Sequence, residues 1–312
     1  MVRYVNFLYS SILMALLLLT LSTQAQVPKV VCGSIERLAN FQSKYVDARN
    51  VDVWLPPGYN PHKKYPVLYM HDGQMLFDST ITWNKQAWGV DGVLCKLLSK
   101  NKIKPCIVVG IWNISTQRHE EYFPQKAFYS LSVTDQQRML AVGRDNNAIV
   151  FHRAPVSDNY LQFLVKELKP YIDTHFGTLT DAGHTFIAGS SMGGLISLYA
   201  ICEYPYVFGA AACMSTHWTG IFTNKDNPLP QAILNYLKIR LPSPNNHRIY
   251  FDHGTKTLDS LYKPYQLQAN GIMKAKGYTH KNFVTLEFAG ADHTERSWRA
   301  RLDTPLLFLF NK

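Results

Sequence analysis

Residues 185–188, Thr-Phe-Ile-Ala, form a short apolar run that passes without a break into Gly189-Ser190-Ser191-Met192-Gly193-Gly194 and then into the helix-period stretch 195–200. A strand that turns directly into a helix brings the backbone on both sides of the turn into contact, so the positions two before and two after its apex must be small. Gly189 and Gly193 occupy those positions around Ser191. The apex is held at a helix N-terminus, where backbone N–H groups favour developing negative charge. A Gly-Ser turn before a helix can be a mere cap. A strand before it and a helix after it make Ser191 a candidate nucleophile.

A chain carrying this turn needs a sheet to hold it, and the sequence supplies one. Further apolar runs at 66–70, 107–112, 210–214, 248–251 and 283–288 are short, continuous and bounded by Gly, Asp or His, as expected of strands buried on both faces of a parallel sheet. Helix-period stretches at 87–98, 160–175, 192–203, 231–239, 261–276 and 294–310 alternate with them. The expected fold class is α/β, a central mostly parallel sheet with helices on both faces. Upstream, 29–38 and 42–55 suit an antiparallel hairpin closed by Pro56-Pro57-Gly58. Segment 124–155 shows no clear period and reads as a long irregular insertion.

The 312 residues contain no Gly/Ser/Pro-rich linker and no internal repeat, so one domain is expected over 26–312. Hydrophobic residues at 46% against 17% charged exclude disorder, collagen and coiled coil. The net charge of +10 is not gathered into any Lys/Arg block, which argues against nucleic acid as a partner. Arg3, the apolar run 12–21 and Thr23-Gln24-Ala25-Gln26 make the three-part pattern of a signal peptide over 1–25, cleaved after Ala25. The run falls short of the ~20 residues of a membrane span, so export to the periplasm or exterior is expected, with no stable span after cleavage. Five cysteines are read as packing residues. An oxidising destination would permit one bridge, with Cys95 and Cys106 nearest in sequence.

A serine hydroxyl is a weak nucleophile unless a base takes its proton, and on a turn of this kind the partners follow in the order Ser, acid, His. Of the downstream histidines, His247 and His280 precede strands, at the wrong edge of a parallel sheet. His217 follows the strand next after the nucleophile, and His253 ends the one beyond, where the acid belongs. His293, after the final strand, is the candidate base. Among the carboxylates between them, Glu203 lies late in a helix, Glu287 in a strand and Asp226 in a distant loop, and Asp292 cannot easily turn back to the adjacent imidazole. Asp259, in the loop leaving the 248–251 strand, is the preferred acid, with Asp252 at the strand end as the alternative.

The backbone N–H of Met192 is one candidate oxyanion donor, and Gln74 or its neighbour Gly73, after the strand at 66–70, would supply the second. Loops leaving the same sheet edge offer substrate-binding candidates in Arg118, Tyr122, His217 and Trp218. A Trp can stack on sugars or aryl acids and an Arg can pair with a carboxylate, although Arg118 with Glu121 could equally be a structural ion pair and Trp218 could pack under a loop.

These segments together, Val53-Trp54-Leu55-Pro56-Pro57-Gly58-Tyr59, 68–77, 189–194, Gly254-Thr255 with Asp259, and Asp292-His293, resemble the esterase D and feruloyl esterase group of α/β-hydrolases, which includes enterochelin-esterase-like proteins and carbohydrate esterases. The resemblance spans nearly the whole mature chain. It implies Ser191, Asp259 and His293 as a triad and hydrolysis of carboxylic esters of acylated carbohydrate, hydroxycinnamate or acetyl type. The loop before the acid is longer here than the short Gly-Thr-x-Asp form of feruloyl esterases. An acyltransferase with the same triad and a noncatalytic binding module of hydrolase ancestry are the alternatives. A small-molecule or oligosaccharide ester is the expected partner, and no metal or cofactor is expected, since no Cys/His pair has ligand spacing. Oligomeric state is not legible.

Overall fold

The structure is a computed structural model that describes residues 26–143 and 149–310. The expected signal peptide, 1–25, lies outside the described residues. Eight strands form one sheet: β1 (Ser34–Phe41), β2 (Arg49–Leu55), β3 (Val67–His71), β4 (Ile107–Ile111), β5 (Thr185–Ser190), β6 (Ala210–Met214), β7 (Arg248–Gly254) and β8 (Phe283–Phe288). Their order is β1-β2-β4-β3-β5-β6-β7-β8. The pairs β1/β2 and β2/β4 are antiparallel and the rest are parallel.

Strands buried on both faces explain the continuous apolar runs, since successive side chains feed two different cores. Val67 and Tyr69 join one core with the helices Met192–Glu203 and Leu229–Arg240, whereas Leu68 and Met70 join the other with the helices Val90–Ser99 and Asp303–Phe310. The helix Met192–Glu203 is buried around most of its circumference, as its almost wholly apolar sequence requires.

The topology creates one special crevice. From β3 the chain moves outward to β4, then returns across β3 to place β5 on its other side, and every later strand adds beyond β5. The connections leaving β3 and β5 therefore depart to opposite faces, and a gap opens between the carboxyl ends of these two strands. Ser191 stands at that point.

Four expectations are corrected here. The hairpin is present, but residues 42–48 join its strands, and Pro56-Pro57-Gly58 leads away from β2 toward β3. Segment 124–155 contains the helices Gln125–Tyr129 and Val133–Leu140, too short for their periods to stand out. Cys95 pairs with Cys32 and not with Cys106, which is buried and free at the start of β4. Nearness in sequence did not decide pairing; the helix Val90–Ser99 turns Cys95 toward the N-terminal segment that packs beside it. The single helix expected over 294–310 is also two, Glu295–Arg301 and Asp303–Phe310.

Candidate active site

Ser191 has φ 56° and ψ −123°, a conformation that non-glycine residues rarely adopt. The surrounding fold holds it there. Its N–H donates to the Met214 carbonyl at 2.9 Å, and its own carbonyl accepts from Leu195 and His217. The glycines around it answer to measured crowding: a Cβ on Gly189 would sit 2.7 Å from the Gly193 backbone, and one on Gly194 would sit 2.9 Å from the Met214 carbonyl oxygen. Met192 opens the following helix, so its amide lies at the N-terminal end of the helix dipole.

Across the crevice, β3 ends at His71, and Asp72 adopts φ 58° to start the short turn Gly73–Met75. Gly73 packs directly on Gly110, where a Cβ would come within 2.5 Å of backbone. That packing sets Gln74 on the wall of the cleft containing Ser191 and Met192, with the Gln74 Oε1 accepting from the Asn113 N–H at 3.1 Å. Gly73 lies behind this wall.

His293 follows β8 and lines the same cleft, which has a volume of about 720 Å³. Its Nδ1 lies 2.5 Å from Asp259 Oδ1. The other oxygen of Asp259 accepts from the Ser215 hydroxyl at 2.6 Å and from the Gly254 N–H at 2.5 Å. Burial works against the charge on Asp259, but the bonds from His293, Ser215 and Gly254 outweigh it and hold the carboxyl below its ordinary range. Asp252 faces elsewhere: it pairs with Arg301 at 3.0 Å and accepts from the Tyr250 hydroxyl at 2.9 Å. Asp292 accepts from Thr294 and Ser297 instead of turning toward the neighbouring imidazole.

The substrate-binding candidates divide. Arg118 lines the cleft and is held by Asp72 through two bonds of 2.7 Å, while Glu121 pairs with buried Arg49, so the anticipated Arg118–Glu121 pair is replaced by two others. His217 also lines the cleft, its Nδ1 2.7 Å from the Tyr262 hydroxyl. Trp218 does not reach the cleft. It is wholly buried, packs on Phe251 and donates its indole N–H to Gln266. Tyr122 is likewise buried, beneath Arg118 and beside His71 and Tyr160. Both corrections have one cause: large aromatics near a sheet edge gain more from core burial than from exposure.

Several residues of the site were not singled out from sequence. Trp83 lies on the cleft rim and is 84% exposed, flanked by Asn84 and Gln86, which also line the cleft. A lone Trp in the polar run Thr82-Trp83-Asn84-Lys85-Gln86 was a usable signal. Arg301, which packs behind Asp259, and Trp298, which reaches from the cleft wall to Ser215, carry no local motif at all, and Ser215 drew notice only as part of the loop 215–218, not as a partner of Asp259.

The family described as "Putative esterase" matches residues 44–309. The chain is 22% identical over 272 residues to the uncharacterized protein YbbA of Bacillus subtilis (strain 168), covering 85% of this chain and 93% of that one. It is 24% identical over 260 residues to the iron(III) enterobactin esterase of Escherichia coli (strain K12), covering 83% of this chain but only 53% of that protein. Among solved structures, the CE1 ferulic acid esterase AmCE1/Fae1A of Anaeromyces mucronatus superposes with a TM-score of 0.61 at 20% identity, covering 93% of this chain and 94% of the other. The shared fold is that of α/β-hydrolase esterases.

Proposed function

Because the chain belongs to the esterase family and its activity is expected to be carboxylic ester hydrolysis, we propose that it is a serine esterase with Ser191 as nucleophile, His293 as general base and Asp259 as the acid that orients the imidazole. The observation that carries the reading is the sharing of one cleft by the strained Ser191 turn and by His293, with His293 bonded to buried Asp259. In this mechanism His293 takes the Ser191 proton as Oγ attacks the ester carbonyl. The backbone N–H of Met192, with one from the Gly73–Gln74 turn, stabilises the oxyanion, and His293 returns the proton to the leaving alcohol. Water then repeats the sequence on the acyl-enzyme.

The substrate in this proposal is an acylated carbohydrate, with a hydroxycinnamate or acetyl group as acid. Exposed Trp83 offers a flat apolar face beside the amides of Asn84 and Gln86, a combination suited to a sugar ring whose faces are apolar and whose edges are polar. The ferulic acid esterase relative is consistent with an aromatic acyl group. Export of a single domain over 26–312 belongs to the same reading, and a Cys32–Cys95 bridge favours an oxidising compartment.

A fluorophosphonate probe is expected to label wild type and not Ser191→Ala, and Ser191→Ala is expected to lose roughly four to six orders of magnitude in kcat on a methyl ferulate or acetyl ester. Unchanged turnover in Ser191→Ala would remove Ser191 from the reaction. N-terminal sequencing of the exported protein tests cleavage after Ala25.

A further inference from the structure

Behind Asp259 lies a buried polar cluster, Ser215, Asp252 and Arg301, with Trp298 beside them reaching in from the cleft wall. The Ser215 Oγ is 3.0 Å from Trp298 Nε1, 2.9 Å from Arg301 Nη2 and 2.6 Å from Asp259 Oδ2. Indole and guanidinium nitrogens can only donate, so they occupy the two lone pairs of the hydroxyl, and its proton is left to Asp259. A serine hydroxyl that could otherwise rotate among partners has one direction here. Asp252 secures Arg301 at 3.0 Å, and its carbonyl oxygen accepts the Ser215 N–H at 2.8 Å. Ser215 itself sits at φ 41°, in the left-handed region.

We infer that Ser215 and Arg301 are positioning residues of the triad acid: together they fix the plane of the Asp259 carboxylate and present its Oδ1 to His293 Nδ1. The inference rests on the Ser191–His293–Asp259 reading and adds a role for Asp252, which lost the competition for acid but anchors the arginine. The groups facing Asp259 are His293, Ser215, the Gly254 amide, Tyr262 and Arg301, whose Nη2 is 3.9 Å away. Those facing His293 are Asp259 and the rings of Tyr262 and Trp298. The Ser215 hydroxyl and the Arg301 charge both draw electron density from Asp259. They thereby moderate the stabilisation that Asp259 lends to a protonated imidazole. Removing either stabilises imidazolium, so the base stays protonated to higher pH.

The test is kcat/KM against pH on a non-ionising acetyl ester for wild type, Ser215→Ala, Ser215→Gly, Arg301→Gln and His293→Ala. Glycine at 215 removes the hydroxyl while suiting the positive φ, which covers the case in which Arg301→Gln fails to fold. Both Ser215 variants are expected to move the midpoint of the acidic limb upward by about 0.5–1 pH unit, with kcat lowered on the plateau and KM little changed. A midpoint that stays in place or moves down in Ser215 variants melting like wild type overturns the inference. Wild-type turnover by His293→Ala overturns the triad reading itself, and the two failures are thereby told apart.

Discussion

At the scale of the residue, two buried aspartates seven positions apart carry different duties, and substitution can separate them. Asp259 accepts from His293, so Asp259→Asn is expected to lower kcat by about 10⁴-fold with little effect on folding, because the amide supports the wrong imidazole tautomer. Asp252 is bonded to Arg301 and Tyr250, so Asp252→Asn leaves a buried guanidinium short of its charge partner and is expected to cost roughly 3–5 kcal/mol of stability while the folded fraction still turns over. Denaturant unfolding and kcat measured on the same two proteins check both halves, and the reverse ranking would exchange their roles. Trp83 poses a different question, since it is exposed in the free protein and has little fold to lose. Trp83→Ala is expected to raise KM roughly three- to tenfold for a saccharide ester and to leave a methyl ester unaffected. Equal effects on both esters would place the sugar elsewhere.

Among elements, the N-terminal segment is fastened to the helix Val90–Ser99 by more than sheet pairing. Cys32 is bridged to Cys95 across a sequence separation of 63, the Val31 N–H donates to Asp91 at 2.6 Å, and the Cys32 carbonyl accepts from the Trp54 indole at 2.9 Å. A bridge closing so long a loop restricts the unfolded chain strongly, so Cys95→Ala is expected to lower unfolding free energy by roughly 2–4 kcal/mol. Reductant is expected to weaken wild type by a similar amount and the variant hardly at all. Esterase activity below the melting transition is expected to stay near that of wild type, because this corner of the sheet is remote from β5.

For the whole molecule, acid sensitivity follows from where β3 ends. His71 is buried next to Tyr160, whose hydroxyl lies 2.8 Å from Nδ1, and burial pushes its imidazole down to about 3 even though neighbouring Asp72 acts in the opposite sense. The folded protein therefore keeps His71 neutral while the unfolded chain protonates it near 6.5. Stability from this group is fully present above about pH 6.5 and is lost as pH falls toward 3, at about 1.4 kcal/mol per pH unit. Asp72 and Asp259, each held below the ordinary carboxylate range, add losses of the same sign at lower pH. Urea midpoints at pH 7.5 and pH 5 are expected to fall steeply for wild type and less so for His71→Gln. Equal slopes would mean that His71 does not contribute.

What the sequence determined by itself was local or periodic. The strand–turn–helix around Ser191, the buried strands of the parallel sheet and the placement of His293 after the last of them all follow from side-chain spacing, which the backbone reads at a distance of a few residues. The preference for Asp259 over Asp252 drew on the same logic of strand ends and loops. Tertiary structure decided whatever depends on partners far apart in the chain. Cys32 meets Cys95, Arg118 meets Asp72, and Glu121 meets Arg49 over separations of 46 to 72 residues, and no local pattern announces such contacts. Burial of an aromatic is decided in the same way: Trp218 and Trp83 are the same residue type on loops of the same sheet edge, yet one is sealed under the chain and the other stands on the rim. A tryptophan carries no mark of which it will be, because the answer lies in the neighbours that the fold brings to it.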